Sequence, residues 1–361
     1  GQFGSIYATS TICSSLLLIW VGKKIDDYRL LNYSFFVIIL LFLSSLFFSF
    51  INSIYFLAVA IFLMRLSGQG LMSHASTTTI SRFFERSRGK ALSTIWLGLS
   101  TAEFILPVLI TYFFLIYSWR TVWQGIAVLI ILFLPFVITN TIKSVNLDSR
   151  EVDTKSNNKK TKIKSWRRSD VIKDYRFYIV SLNMLAMPWL ATGTFVYQSF
   201  ISDSKMWAVY TIPKAFMVYS ITSIVTLFLS GFLVDKFTGR KLILFMNIPL
   251  LLAMFVLFKF NHEFFAYIFL GLVGVSNGLA NILGSSTWAE IYGVKYIGSI
   301  KALTTAFMVF STAFGTAIFG ILIDNGFTIE NIAFVGGAYI ILSLTLLVLF
   351  RKRIEPTRLS N

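Results

Sequence analysis

Cysteine occurs once in the chain, at Cys13, so no disulfide can close within it and no thiol-rich metal cluster can form. Histidine is almost as scarce, at His74 and His262 only. That removes paired-histidine metal sites and leaves no nucleophile–base constellation, so no cofactor or metal is expected and a polytopic membrane enzyme has little to build with. Charged side chains make up 13% of the residues, about half the roughly 25% of a soluble domain. No glycine-rich loop is followed by Lys-Ser or Lys-Thr, which argues against nucleotide-driven pumping. No ring of like charge or repeated filter marks a channel pore. The chain opens Gly1-Gln2-Phe3-Gly4-Ser5, with neither a charged leader nor a small-residue cleavage site, so its first apolar stretch does not read as a signal peptide.

What the sequence does have is hydrocarbon. It is 56% hydrophobic and 17% aromatic, with a mean hydropathy of +0.75. Segments 33–51, 242–258 and 332–350 carry no charge, and each approaches the ~20 residues that cross ~30 Å of lipid as a helix. Alternating segments of about ten residues, the mark of a membrane barrel, are lacking. Eleven helical spans are predicted, at 2–21, 32–51, 54–82, 91–116, 120–140, 176–200, 209–232, 241–259, 264–291, 299–324 and 331–350. The fold class is all-α, a polytopic membrane helix bundle. Between the fifth and sixth spans lies a hydrophilic stretch, 141–175, which reads as a solvated linker ending in an amphipathic helix.

Basic residues fall on one side of this topology. Loops at Lys23–Arg29, Arg82–Lys90, the linker, Lys236–Lys241, Lys295–Lys301 and the tail beyond Arg351 hold most of the 32 Lys and Arg. The opposite side holds only Arg120, Lys205, Lys214 and Lys259, and Arg65 lies inside a span. The positive-inside rule makes the rich side cytoplasmic, linker and C-terminus included, in a plasma (inner) membrane. The net charge of +16 is then a topology and lipid-contact signal, and no nucleic-acid partner is expected.

The sequence also repeats. Lys90-Ala91-Leu92-Ser93-Thr94 returns as Lys301-Ala302-Leu303-Thr304-Thr305, and Ser100-Thr101-Ala102 as Ser311-Thr312-Ala313, both at an offset of 211. Gly22-x-x-x-Asp26 returns as Gly231-x-x-x-Asp235 at an offset of 209. Both copies face the basic side alike, which describes a parallel repeat about an axis along the membrane normal. The organisation is thus a helix bundle over 1–140, a basic linker over 141–175, a six-helix bundle over 176–350 and a basic tail over 351–361. The first bundle has five spans against six, so one span is expected to be missing ahead of Gly1.

Gly231-Phe232-Leu233-Val234-Asp235-Lys236-Phe237-Thr238-Gly239-Arg240-Lys241 combines a close-approach glycine, a carboxylate, a turn glycine and cations between two spans. It resembles the G-x-x-x-D-[RK]-x-G-[RK]-[RK] loop signature of the major facilitator superfamily, with one extra residue before the second Gly. The first-half copy, Gly22-Lys23-Lys24-Ile25-Asp26-Asp27-Tyr28-Arg29, lacks the second Gly and has Asp where a cation is usual. Arg65-Leu66-Ser67-Gly68-Gln69-Gly70 resembles the family's fourth span. The run Arg86-Ser87-Arg88-Gly89-Lys90-Ala91 is similar to its turn between spans four and five. Ser118-Trp119-Arg120 is similar to its Trp-Arg pair before span six, and Trp288-Ala289-Glu290-Ile291-Tyr292-Gly293 to its turn after span ten. The resemblance implies a twelve-helix transporter fold, here five plus six spans. It further implies alternating access by rocking of the halves, and gating roles for Gly22, Asp26, Arg29, Arg86, Arg88, Gly231, Asp235, Gly239, Arg240 and Glu290. Within the family the nearest likeness is to bacterial monocarboxylate-porter-like organic-anion carriers. Export of drug-like or other metabolites is the alternative.

Arg65 and Glu103 are opposite charges near the middle of their spans. A charge at that depth costs at least ~2.5–3.5 kcal/mol on insertion scales, so it is rare without a partner or a task. Arg65 is expected to attract an anionic substrate and Glu103 to carry a coupling proton; the other reading is a static ion pair that fixes helix packing. His74 is either a proton relay or a hydrogen-bonded filler among Ser73 and 76–79. Asn277 and Asn281, spaced i and i+4, share a helix face, and with Gln69 and Gln198 they either line a cavity or bond between helices. The expected partners are the lipid bilayer, a small solute and a proton, and the chain is expected to be monomeric.

Overall fold

The computed structural model describes residues 2–84, 87–144, 165–208 and 211–355. Eleven long helices account for most of it: α1 Gln2–Lys23, α2 Leu30–Ser49, α3 Ile54–Phe83, α4 Arg88–Ile116, α5 Trp119–Ser144, α6 Tyr175–Val196, α7 Thr211–Phe237, α8 Gly239–Lys259, α9 Phe264–Tyr292, α10 Ile297–Asp324 and α11 Ile329–Phe350. Among the described residues there is no strand. Among the described residues, ten helices are long and apolar enough to cross a membrane. Lipid offers backbone groups no hydrogen-bond partner, so an apolar run satisfies them internally as a helix. Polar caps mark where runs begin: the Ser53 side chain accepts from the Phe56 amide and Thr328 from the Asn331 amide. Asp174 accepts from Arg176 at the start of α6, a bond that satisfies one otherwise orphaned donor.

The predicted spans match these helices one for one, with three departures. The sixth ends at Val196 rather than running to 200, because a separate short helix, Gln198–Ser204, follows. The amphipathic helix at the end of the linker is only Arg168–Ile172. The eighth span begins at Gly239 and changes pitch through Ile243–Phe245 before Pro249. Residues 145–164 of the linker lie outside the described residues.

Two cores form. Leu18, Tyr33, Val37, Leu66 and Leu71 centre the first lobe. Phe177, Leu190, Leu250, Phe269, Trp288 and Ile340 belong to the larger core of the second. The exterior is apolar too. On α5, Leu129, Leu132, Phe133 and Phe136 are each more than 60% exposed, a stripe at helical spacing that suits acyl chains. In the second lobe α7 and α9 touch backbone to backbone. A Cβ on Gly278 would sit 2.6 Å from the Ser223 carbonyl and 2.7 Å from the Leu227 amide, and neither can move without moving the helix. Gly278→Ala is therefore expected to destabilise the lobe by about 1–3 kcal/mol, read as a lower melting temperature of the detergent-solubilised protein. Gly98→Ala is the contrast. Nothing lies within 4 Å of its Cβ position, and alanine favours the helix by up to ~1 kcal/mol, so its melt should hold or rise.

Within α3 the segment Arg65–Met72 is π-helical. Such widened turns occur mostly at functional positions in helices, and this one redirects the residues on either side of Gly68.

Candidate functional site

The lobes meet along two helix crossings, α1 on α10 and α4 on α7. Gly22 lies where α1 passes Ala302 of α10, and Gly231 lies where α7 passes Gly89 and Ser93 of α4. Beside each crossing a carboxylate reaches from one lobe into the first turn of a helix in the other. Asp26 Oδ1 accepts from the Gly298 amide at 3.0 Å. Its Oδ2 accepts from the Ser299 amide and hydroxyl, both at 2.6 Å, and Arg82 completes the set with an ion pair. Asp235 accepts from the Gly89 amide at 2.8 Å and the Lys90 amide at 3.2 Å. Each carboxylate faces unsatisfied N–H groups and the positive end of a helix dipole. The two clamps are related by one offset, since 26 to 235, 89 to 298 and 90 to 299 are each 209 apart.

Glu290 does the same job inside the second lobe, accepting from the Gly239 amide at 2.8 Å and the Arg240 amide at 3.0 Å. Gly239 needs to be small there, because a Cβ would stand 2.5 Å from Ser286 Oγ. Arg240 also lies 3.5 Å from Glu355. Arg88 is buried, its Nε donating to the Ser81 carbonyl within its own lobe at 3.2 Å. Arg29 is exposed at the start of α2. Arg86 lies outside the described residues.

The Asp26 and Asp235 hydrogen bonds that join the two lobes lie at this basic end. Away from it a cavity of about 470 Å³ opens between the lobes. The first lobe contributes Gly68, Gln69, Ser73 and Thr77 of α3 with Trp96 and Leu99 of α4. The second contributes Asn281 and Ser285 of α9, Lys301, Thr304, Thr305, Met308 and Thr312 of α10, and Pro188 of α6. From Lys301 to Thr312 the lining climbs about 16 Å along α10 at 1.5 Å per residue.

Among the described residues, Lys301 is the one charged residue on this lining. It is 2% exposed, and its Nζ donates across the lobe boundary to Ser81 Oγ at 3.2 Å. Among the described residues no carboxylate pairs with it. Counted on the sequence it belonged to a basic loop; the structure places it inside α10, one turn beyond Gly298.

The other sequence candidates divide. Gln69 and Asn281 line the cavity. Asn277, one turn from Asn281, donates to Ser223 Oγ at 2.9 Å and borders a smaller adjoining space. Arg65 is turned toward α1, its Nε donating to Thr11 Oγ1 at 3.2 Å and its guanidinium 5.0 Å from the Tyr7 ring centre. His74 is fully buried between α1 and α3. Its Nε2 lies 2.9 Å from the Gly22 carbonyl, which can only accept, so Nε2 carries a proton; Thr78 sits 3.4 Å from Nδ1. Gln198 is exposed at the far end of the second lobe. Glu103 stands on α4 seven residues after Trp96 and four after Leu99, in register with both; its side chain lies outside the described residues.

Over residues 1–217 and 180–361 the sequence matches the family model of the Major Facilitator Superfamily. Two solved transporters share the fold. A bacterial homologue of the iron transporter ferroportin, in an outward-facing state with soaked iron, is 14% identical with a TM-score of 0.66, over 96% of this chain and 89% of that one. The human organic anion transporter MFSD10 is 12% identical with a TM-score of 0.68, over 95% and 83%. At such identities the likeness is one of fold. No curated protein sequence matches the chain. With the family pattern running from end to end, and two helical lobes clamped at one end around a cavity, the chain belongs to the Major Facilitator Superfamily of membrane transporters.

Proposed function

We propose that the chain is a secondary active transporter that carries a small organic anion, of the monocarboxylate kind, together with a proton. The carrying observation is Lys301, a buried lysine on the cavity wall whose hydrogen-bond partner is the neutral Ser81 hydroxyl and against which, among the described residues, no carboxylate is paired. A buried charge without a counter-charge is costly, and a bound anion supplies that counter-charge. The surrounding hydroxyls and amides of Thr304, Thr305, Ser285, Asn281 and Gln69 can donate to carboxylate oxygens while leaving the site neutral. The fold shared with an organic anion transporter supports the same reading.

By the positive-inside rule the clamped end faces the cytoplasm, so this state receives solute from outside a plasma membrane. Rocking the lobes would break the Asp26 and Asp235 clamps and close the opposite end. Glu103, seven and four residues after Trp96 and Leu99 on α4, is the residue to which this reading assigns the proton.

Counterflow in proteoliposomes tests the substrate class. Uptake of a labelled carboxylate should saturate, accelerate with unlabelled acid inside, and resist competition by the matching amide. Equal competition by the amide would remove the anion from the proposal. Coupling is tested by Glu103→Gln: an imposed pH gradient should no longer drive accumulation, whereas counterflow, which needs no net proton movement, should persist. Accumulation that still follows the pH gradient would exclude Glu103 as the proton site.

A further inference from the structure

Beside the main cavity the second lobe holds another space, of about 200 Å³, and its walls are of a different character. Met184 and Met187 of α6, Met246 of α8 and Met308 of α10 converge on it, with Phe195 beside them. Met184, Met187 and Met246 are all at most 5% exposed, so this is the interior of the lobe. The two spaces share Pro188, Ala280, Asn281, Gly284 and Met308, and a ligand can therefore extend from one into the other. Thioether side chains are flexible and polarisable and make favourable contacts with aromatic edges. An engineered apolar cavity of about 150 Å³ holds benzene, so this one has room for a ring. Lys301 and Met308 are seven residues apart on α10, which separates these two positions by about 10 Å along the helix axis.

We infer that the transported anion is amphipathic, an aryl-alkanoic acid or an acid of like shape. Its carboxylate faces Lys301 and its apolar body, about 10 Å away, fills the methionine-lined space. Asn281, on the shared wall, faces the middle of such a molecule. This rests on the anion reading above and adds the body to the charge. The methionines make the body pocket tolerant: rings and unbranched chains fit, whereas a second charge at that end does not.

The experiment compares acetate with 4-phenylbutyrate in proteoliposomes, as labelled substrates and as mutual competitors. Burial of the phenylpropyl part should give 4-phenylbutyrate a KM at least about tenfold below that of acetate. Met187→Gln, which puts an amide into the pocket, and Ala191→Leu, which fills it, should each bring that ratio down severalfold. Both variants are checked by size exclusion and thermal melting. Two well-folded variants that keep the wild-type ratio, or a wild type indifferent to the phenyl group, would overturn the body pocket alone. Lys301→Gln separates the underlying reading: if both acids still enter at wild-type rates, the anion site is lost whatever the tail pocket does.

Discussion

Lys301→Gln is expected to lower anion uptake, measured as kcat/KM in proteoliposomes, by about 100-fold, with the protein still folded. Two unit charges 4 Å apart interact by roughly 4 kcal/mol at an effective dielectric of 20. Part of that gain is offset by stripping water from the carboxylate, and about 3 kcal/mol of net loss corresponds to about two decades. The fold should survive because the mutation removes a buried, uncompensated charge and leaves an amide that can still donate to Ser81. Ser81→Ala is the control for the hydrogen bond alone. It deletes a neutral partner, worth about 0.5–1.5 kcal/mol, and should cost no more than about tenfold. Arg65→Ala is the control for a membrane-embedded cation away from the cavity. Arg65 is seated on Thr11 and Tyr7 of α1, so its loss should lower the melting temperature more than it raises KM. Full uptake by Lys301→Gln beside collapsed uptake by Arg65→Ala would move the anion site back to Arg65.

Much of this architecture can be read from residue pattern. Long charge-free runs dictate helices, and the spacing of basic loops dictates their alternation. The loop signature and the repeat announce the clamps before any coordinate does. Lys301 is a different matter. In the pentapeptide repeat it aligns with Lys90, which is exposed and stacks on Phe232 at 5.0 Å, so the two look like equivalent loop cations. Counted from the clamps, however, the register is 209 and not 211. On that count Lys90 is the counterpart of Ser299, and Lys301 is the counterpart of Leu92, which is fully buried. Two residues rotate a helical side chain by about 200°, enough to carry an ammonium from the surface to the cavity. The disagreement between the two offsets was present in the sequence, but only the clamp geometry gives it a physical meaning. For Arg65 periodicity gives the depth, while the π-helical turn that begins there alters the direction in which the following residues face.

The two clamps should prove unequal, and the weaker sequence match should be the stronger clamp. The first-half loop has lost its second glycine and a cation, yet among the described residues its Asp26 collects two amides, a hydroxyl and Arg82, against two amides for Asp235. The second glycine serves a different purpose, letting Gly239 approach Ser286 and Glu290 within one lobe, so its loss from the first copy leaves the inter-lobe contact intact. A hydrogen bond to a charged group contributes about 1.5–3 kcal/mol. Asp26→Asn removes the charge and sets an amide donor against the donors of Ser299, so it should shift the closed-to-open equilibrium of the basic end by about 100-fold, or ~3 kcal/mol. Asp235→Asn should shift it by about tenfold, ~1.4 kcal/mol. The readout is labelling of Thr304→Cys by an impermeant thiol reagent added from the basic side, in a background carrying Cys13→Ser. Labelling rates should rank wild type, then Asp235→Asn, then Asp26→Asn, with the double variant fastest and close to the product of the two single effects. If both single variants label as slowly as wild type, the carboxylates cap their helices without holding the lobes together. If Asp235→Asn labels faster than Asp26→Asn, the count of donors at each carboxylate does not set the strength of the clamp.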